Sequence, residues 1–142
     1  MNNLPIQVFI VEDNQVYSLM LKNALKEKGN FEITTILTGE YCLNMLDKNP
    51  QVIILDHLLA PPDDILGPGI SGLEVMRQIH KKMPNLPVII LSNQTDTQIA
   101  TDYWQAGVFD YMEKNLLVMD KLVAAILKAV NKEGASEGER DK

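Results

Sequence analysis

The stretch VIILDHLLAPPDDILGPGISGLEVM, residues 52–76, begins with four aliphatic residues, reaches a carboxylate at Asp56, and then runs through several prolines and glycines. A continuous apolar run of this length is typical of a strand that is buried on both faces, as in a parallel sheet. The helical pattern resumes only at Gly72, so the connection after the strand is unusually long. The stretch predicts a buried strand that carries an aspartate to a loop.

Four more strands are predicted from runs of apolar or alternating residues. They are IQVFIV (6–11), FEITTI (31–36), PVIIL (87–91) and VFDYM (108–112), of which the second alternates and suits a sheet edge. Helical patterns separate them, over 15–28, 40–47, 72–82, 95–106 and 116 to about 132. This alternation predicts an α/β fold with a doubly wound, five-stranded parallel sheet and five helices on its two faces.

Composition indicates one domain over residues 1–132, because 142 residues with 46% hydrophobic content can bury an ordinary core. The polar tail 133–142 is expected to be disordered. The net charge is −6 and the basic residues are scattered, so direct nucleic-acid binding is not expected. A lone cysteine, no signal-like segment and no apolar run of roughly 20 residues predict a cytoplasmic protein without membrane insertion.

Local patterns in the helical segments give further expectations. In the first segment, the apolar spacing predicts that Val16, Leu19, Met20 and Leu25 face the core. Gly29 and Gly107 each follow a helical segment, at positions where a left-handed residue often ends a helix.

Polar side chains follow four of the five predicted strands. They are Glu12 and Asp13 after the first, Asp56 after the third, Ser92 after the fourth and Lys114 after the fifth. In a doubly wound sheet these strand ends border the crevice in which ligands bind. Three carboxylates in one crevice repel one another unless a cation compensates, and Mg²⁺ favours oxygen ligands. With an ammonium and a hydroxyl nearby, the pattern predicts a magnesium site that can stabilise a transferring phosphoryl group.

With these residues in place, the chain resembles the receiver domain of two-component response regulators, of the chemotaxis-regulator kind, over roughly residues 5–131. VFIVEDN carries the acidic pair, VIILD the phosphoacceptor, PVIILSN the hydroxyl and AGVFDYMEK the lysine. The resemblance implies a flavodoxin-like strand order 2-1-3-4-5. It also implies a signalling switch that is not an enzyme acting on a separate substrate, although it assists its own phosphotransfer and slow autodephosphorylation.

The resemblance also implies a role for each site residue. Asp56 would accept the phosphoryl group from a sensor histidine kinase or a phosphotransfer protein. The direct magnesium ligands would be Asp13, Asp56 and the backbone carbonyl of Leu58, with Glu12 acting through water. Ser92 and Lys114 would hold phosphoryl oxygens. Tyr111 would change rotamer on activation. The output would be a changed surface for a downstream effector protein. The chain is expected to be a single-domain regulator or a part of a longer one.

Some features leave alternatives open. The loop 59–71 is about twice the length usual in the family, so it is a tolerated surface insertion, a partner-binding element or a segment that covers the site. A magnesium-dependent phosphatase or phosphotransferase would need a second carboxylate where Leu58 stands. A flavin-binding protein of the same topology is disfavoured because the acid cluster would repel a flavin phosphate. His57 beside Asp56 is disfavoured as a phosphorelay histidine, since neighbouring side chains in a strand point apart.

Overall fold

A computed structural model describes residues 4–57, 71–93 and 96–138, with side chains described as far as Asn131. Within these ranges five strands form one parallel sheet, namely β1 (Ile6–Val11), β2 (Phe31–Ile36), β3 (Val52–Asp56), β4 (Val88–Ser92) and β5 (Asp110–Glu113). Their spatial order is β2-β1-β3-β4-β5. The predicted fold class and strand order are confirmed.

The helices lie between the strands, as the sequence pattern predicts. They are α1 (Gln15–Lys28), α2 (Gly39–Asn44) with a following 3-10 turn (Leu46–Lys48), α3 (Gly72–Lys82), α4 (Thr97–Gln105) and α5 (Val118–Gly138). None of these described helices is both long enough and apolar enough to cross a membrane.

The centre of the sheet is buried on both faces, and its strands β3 and β4 are apolar in continuous runs. One face packs against α1 and α5, through a cluster that includes Val8, Ile10, Ile54, Leu25 and Ile126. The opposite face packs against the helices from α2 to α4, through a cluster that includes Val11, Ile53, Leu55, Ile79 and Tyr103. Burial on both sides explains why β3 and β4 do not alternate in polarity, whereas the edge strand β2 does.

The register of the strands brings the site residues to one edge of the sheet. Val11 pairs with Leu55, Asp56 pairs with Leu91, and Ser92 pairs with Glu113. Because parallel strands all end at the same edge, the polar residues at or after these positions must lie near one another.

The predicted inward face of α1 is largely wrong. The structure buries Ser18, Leu21 and Leu25. Val16, Leu19 and Met20 are instead exposed, at 81%, 57% and 52% of their surface. Apolar residues occur around much of this helix, so their spacing fits more than one face, and packing against the sheet selects the stripe through Leu21 and Leu25.

The two predicted left-handed glycines differ in outcome. Gly107 has φ +96 and fulfils the prediction. Gly29 has φ −173, which is extended backbone, so the left-handed prediction is wrong there. A Cβ at Gly29 would lie 2.7 Å from Cε2 of Phe31, so the position is small because of packing against β2.

The last helix extends farther than predicted. α5 continues to Gly138, whereas the sequence suggested an end near Lys132 followed by a disordered tail. Helical hydrogen bonding propagates easily once a helix is nucleated, and the segment contains the helix formers Ala135 and Glu137. Residues 139–142 lie outside the described residues.

Candidate functional site

The crevice at the carboxyl edge of the sheet contains the polar residues that the sequence predicts. Glu12 and Asp13 follow β1, and Asp56 and Ser92 are the last residues of β3 and β4. Lys114 follows β5, and its backbone N–H donates to the carbonyl of Ser92 at 2.9 Å. Glu12, Asp56 and Ser92 are buried, so the strands hold these side chains in a largely dehydrated crevice.

Three carboxylates meet in this crevice. One oxygen from each of Glu12, Asp13 and Asp56 lies within 4.8 Å of the others, with Asp13 exposed and the other two buried. Hard divalent cations such as Mg²⁺ take oxygen ligands of this kind and retain water on their open side. The donor set therefore fits a magnesium ion.

Lys114 compensates part of this negative charge. Its Nζ donates to Oε1 of Glu12 at 2.8 Å and lies 3.3 Å from Oδ1 of Asp56. The two acids raise the pKa of Lys114 through a hydrogen bond and their charges, against the opposing effect of burial. The lysine is thus held as a cation beside the buried acids.

Tyr17 was not predicted from the sequence as a site residue. Its ring lies below the Lys114 ammonium, with 4.6 Å between Nζ and the ring centroid. A cation over an aromatic face is attracted by the ring quadrupole, more strongly where water is excluded. The available signal was position, since Tyr17 is four residues after Asp13 and lies in the first turn of α1.

Burial raises the pKa of Glu12 to about 7, an effect that the hydrogen bond from Lys114 only partly offsets. A raised acid pKa stabilises the folded chain at low pH, and this contribution is lost as pH rises through about 7. In the absence of divalent ions, we expect the Glu12 contribution to the free energy of unfolding to fall by about 2 kcal/mol between pH 5 and pH 8. Denaturant titrations of the parent chain and Glu12→Gln at both pH values would measure it. Equal pH dependence in the two chains would contradict the prediction.

Ser92 and Tyr111 lie on adjacent strands. Ser92 is 1% exposed at the end of β4, and Tyr111 is half-buried on β5. The Tyr111 ring packs against the buried Tyr103 of α4, with 5.5 Å between ring centroids. The two predicted switch residues therefore lie between the crevice and α4.

His57 makes a contact that the sequence did not predict. Its Nδ1 lies 2.6 Å from the phenol oxygen of Tyr103, a residue 46 positions away. The two rings meet edge to face, with 5.4 Å between their centroids. His57 thus faces α4, in agreement with the expectation that it does not point at the Asp56 carboxylate.

Some predicted features fall outside the described residues. Leu58, whose carbonyl is a predicted magnesium ligand, is one of these, as is the predicted loop except for its last residue. That residue, Ser71, precedes α3, and its Oγ accepts a hydrogen bond from the N–H of Glu74 at 3.2 Å.

Comparison with known proteins gives a family. The profile of the response regulator receiver domain matches residues 8–127. The chain is 33% identical over 125 residues to the DNA-binding transcriptional regulator NtrC of Escherichia coli K12, covering 87% of this chain and 24% of NtrC. It is 29% identical to the transcriptional regulatory protein DegU of Brevibacillus brevis, covering 94% of this chain and 53% of DegU. The chain therefore spans only a quarter to a half of the length of these relatives.

Solved structures agree with this match. A response regulator receiver domain protein from Clostridium thermocellum superposes with a TM-score of 0.78 at 25% identity, covering 90% of this chain and 96% of that one. The BeF3-activated DrrB receiver domain superposes with a TM-score of 0.74 at 26% identity, covering 90% of this chain and 99% of that one. The profile match, together with the strand order and the acid crevice, shows that the chain belongs to the response regulator receiver domains, the phosphoacceptor switches of two-component systems.

Proposed function

We propose that Asp56 is the phosphoacceptor of this receiver domain and takes its phosphoryl group from a phosphohistidine of a sensor histidine kinase or phosphotransfer protein. The observation that carries the proposal is the position of Asp56. Its buried carboxylate ends the central strand β3, 3.3 Å from the Lys114 ammonium and beside Glu12 and Asp13. A carboxylate oxygen would attack the phosphorus and form an acyl phosphate as the nitrogen–phosphorus bond breaks, and the imidazole would leave with the bonding electron pair.

The surrounding residues would assist this transfer mainly by position and charge. Asp13, Asp56 and the Leu58 carbonyl are the proposed direct ligands of Mg²⁺, with Glu12 acting through water. When bound, the ion would neutralise charge on the phosphoryl oxygens. Lys114 and Ser92 would hold phosphoryl oxygens from the other side, as an ammonium and a hydroxyl donor.

Phosphorylation would then change the surface of the domain. A phosphoryl group adds negative charge and acceptor oxygens at Asp56, which would draw in the Ser92 hydroxyl. Tyr111, on the neighbouring strand, would change rotamer into the space that is released. The altered face of α4, β5 and α5 would be the surface read by a downstream effector protein, and the loop 59–71 is a second proposed contact surface for partners.

The test is phosphorylation by a small donor. Incubation with acetyl phosphate and Mg²⁺, followed by intact-mass measurement, should show one added phosphate in the parent chain and none in Asp56→Ala. Asp47→Ala removes an exposed aspartate in the 3-10 turn that precedes β3, whereas Asp56 ends that strand. This variant is the matched control and should be phosphorylated like the parent. Phosphate uptake by Asp56→Ala would contradict the proposal. Repeated turnover of the donor without a phosphorylated chain would favour the phosphatase alternative.

The phosphorylated state is expected to be long-lived. The sequence positions two residues after Asp56 and two after Ser92 flank the approach of the attacking water in this family, and Leu58 and Gln94 occupy them, both outside the described residues. Leucine can neither orient nor deprotonate water. Any acceleration of phosphate hydrolysis by these two side chains, at most about 10²-fold, must therefore come from Gln94 alone. Leu58→Asn should therefore lose phosphate faster than the parent after donor removal. Equal decay in both chains would show that Leu58 does not set the lifetime.

A further inference from the structure

The backbone immediately after Asp56 is tied to two other elements. The N–H of His57 donates to the carbonyl of Leu91 on β4 at 3.1 Å, and its carbonyl accepts from the N–H of Gly72 at 2.9 Å. Its side chain makes the third link, from Nδ1 to the phenol oxygen of Tyr103 on α4 at 2.6 Å. His57 is therefore held by β4, α3 and α4 at once.

The side-chain hydrogen bond joins the phenol of Tyr103 to the imidazole of His57. Burial raises the pKa of Tyr103, so the phenol keeps its proton. The phenol and Nδ1 can each donate or accept, and the tautomer of His57 sets which of the two donates.

The packing at Gly72 shows how tightly these elements meet. A Cβ at this position would lie 2.7 Å from the carbonyl oxygen of Asp56 and 2.7 Å from the phenol oxygen of Tyr103. Both distances are shorter than real Cβ contacts, so only glycine lets α3 begin here. The Tyr103 hydroxyl thus lies where the start of α3 packs against the end of β3, next to the backbone of Asp56.

We propose that Tyr103 is a positioning residue for phosphorylation of Asp56 and that it acts through His57. The proposal rests on the proposed function of Asp56. Tyr103 is fully buried, and its hydroxyl fixes the residue that leads into the proposed carbonyl ligand at Leu58. Its ring also contacts Tyr111, the proposed switch residue. The same side chain therefore links the phosphoacceptor end of β3 to the aromatic that responds to phosphorylation.

Removing the hydroxyl would leave packing largely intact but free the His57 side chain. A small misplacement of a reacting group can cost up to about 10²-fold in rate. For Tyr103→Phe we expect phosphorylation by acetyl phosphate to be slower by about 10-fold, with a higher Mg²⁺ concentration needed for the half-maximal rate. His57→Leu should show the same loss. The double variant should lose no more than either single variant, because both act through one hydrogen bond.

His57→Asn distinguishes positioning from general damage to the fold. The side-chain amide of asparagine offers both an acceptor and a donor near the place of Nδ1, so this variant should keep a rate and Mg²⁺ dependence close to those of the parent. Tyr41→Phe, at a tyrosine that is 60% exposed, is the matched control for loss of a phenol hydroxyl. Thermal unfolding of each variant fixes a temperature at which all are folded for the rate measurements.

Each outcome has a defined meaning. Parent-like rates and Mg²⁺ dependence in Tyr103→Phe would overturn the positioning role while leaving Asp56 as phosphoacceptor. Additive losses in the double variant, or equal losses in His57→Asn and His57→Leu, would overturn it too. A parent chain that takes up no phosphate would overturn the proposed function and the positioning role together.

Discussion

Lys114→Met is expected to lower the free energy of unfolding by about 3 kcal/mol at pH 8 without divalent ions. The ammonium lies 2.8 Å from Glu12 and 3.3 Å from Asp56, and only 11% of the lysine side chain is exposed. Its removal leaves buried carboxylates without a compensating cation. At pH 6 the loss should be smaller, because Glu12 has a pKa of about 7 and can take up a proton instead. Denaturant titrations at both pH values would measure the difference.

Two additional measurements on Lys114→Met separate charge from packing. Magnesium should restore more stability to the variant than to the parent, because the ion replaces the missing positive charge. The rate of phosphorylation should also fall by about 10²-fold, as expected when a donor to a transferring group is removed. Lys121→Met, at an exposed lysine of α5, is the control. A stability loss that depends on neither pH nor magnesium would mean that Lys114 acts through packing.

Asp13→Ala should weaken magnesium binding by at least about 100-fold and should abolish detectable phosphorylation. Asp13 is the exposed member of the three acids whose oxygens lie within 4.8 Å of one another. An ion that keeps several waters has few protein ligands, so the loss of one carboxylate removes a large part of its binding energy. The measurement is a magnesium titration in which amide chemical shifts report binding, and Asp47→Ala is the control. Unchanged affinity in Asp13→Ala would show that the ion binds elsewhere.

Much of the fold could be predicted because its signals are local. The apolar runs that form β1 and β3 are continuous and differ from the helical patterns between them, so the element order follows from the sequence. The acids and Lys114 could also be predicted as neighbours, because parallel strands end at one edge. The face of α1 could not be predicted from spacing alone, since packing decides between Leu19 and Leu21 as the buried residue.

The contacts that were missed are tertiary and have no local signal. Tyr103 and His57 are 46 residues apart. From the sequence alone, Tyr103 is equally well explained as a core aromatic and His57 as a turn residue. Tyr17 likewise contacts Lys114 only because α1 and the end of β5 meet over the crevice. Such pairs depend on the angle at which helices cross the sheet, which the periodicity of one segment does not specify.

The hydrogen bond between the carbonyl of His57 and the N–H of Gly72 also bears on how this family can diverge. It holds the two ends of the intervening segment next to each other, so the packing of the rest of the domain depends little on how many residues follow the proposed ligand Leu58. Doubling the length of a flexible loop with fixed ends costs only about 0.6 kcal/mol in closure entropy. Insertions and deletions after Leu58 can therefore accumulate at little thermodynamic cost, beside an unchanged phosphorylation crevice.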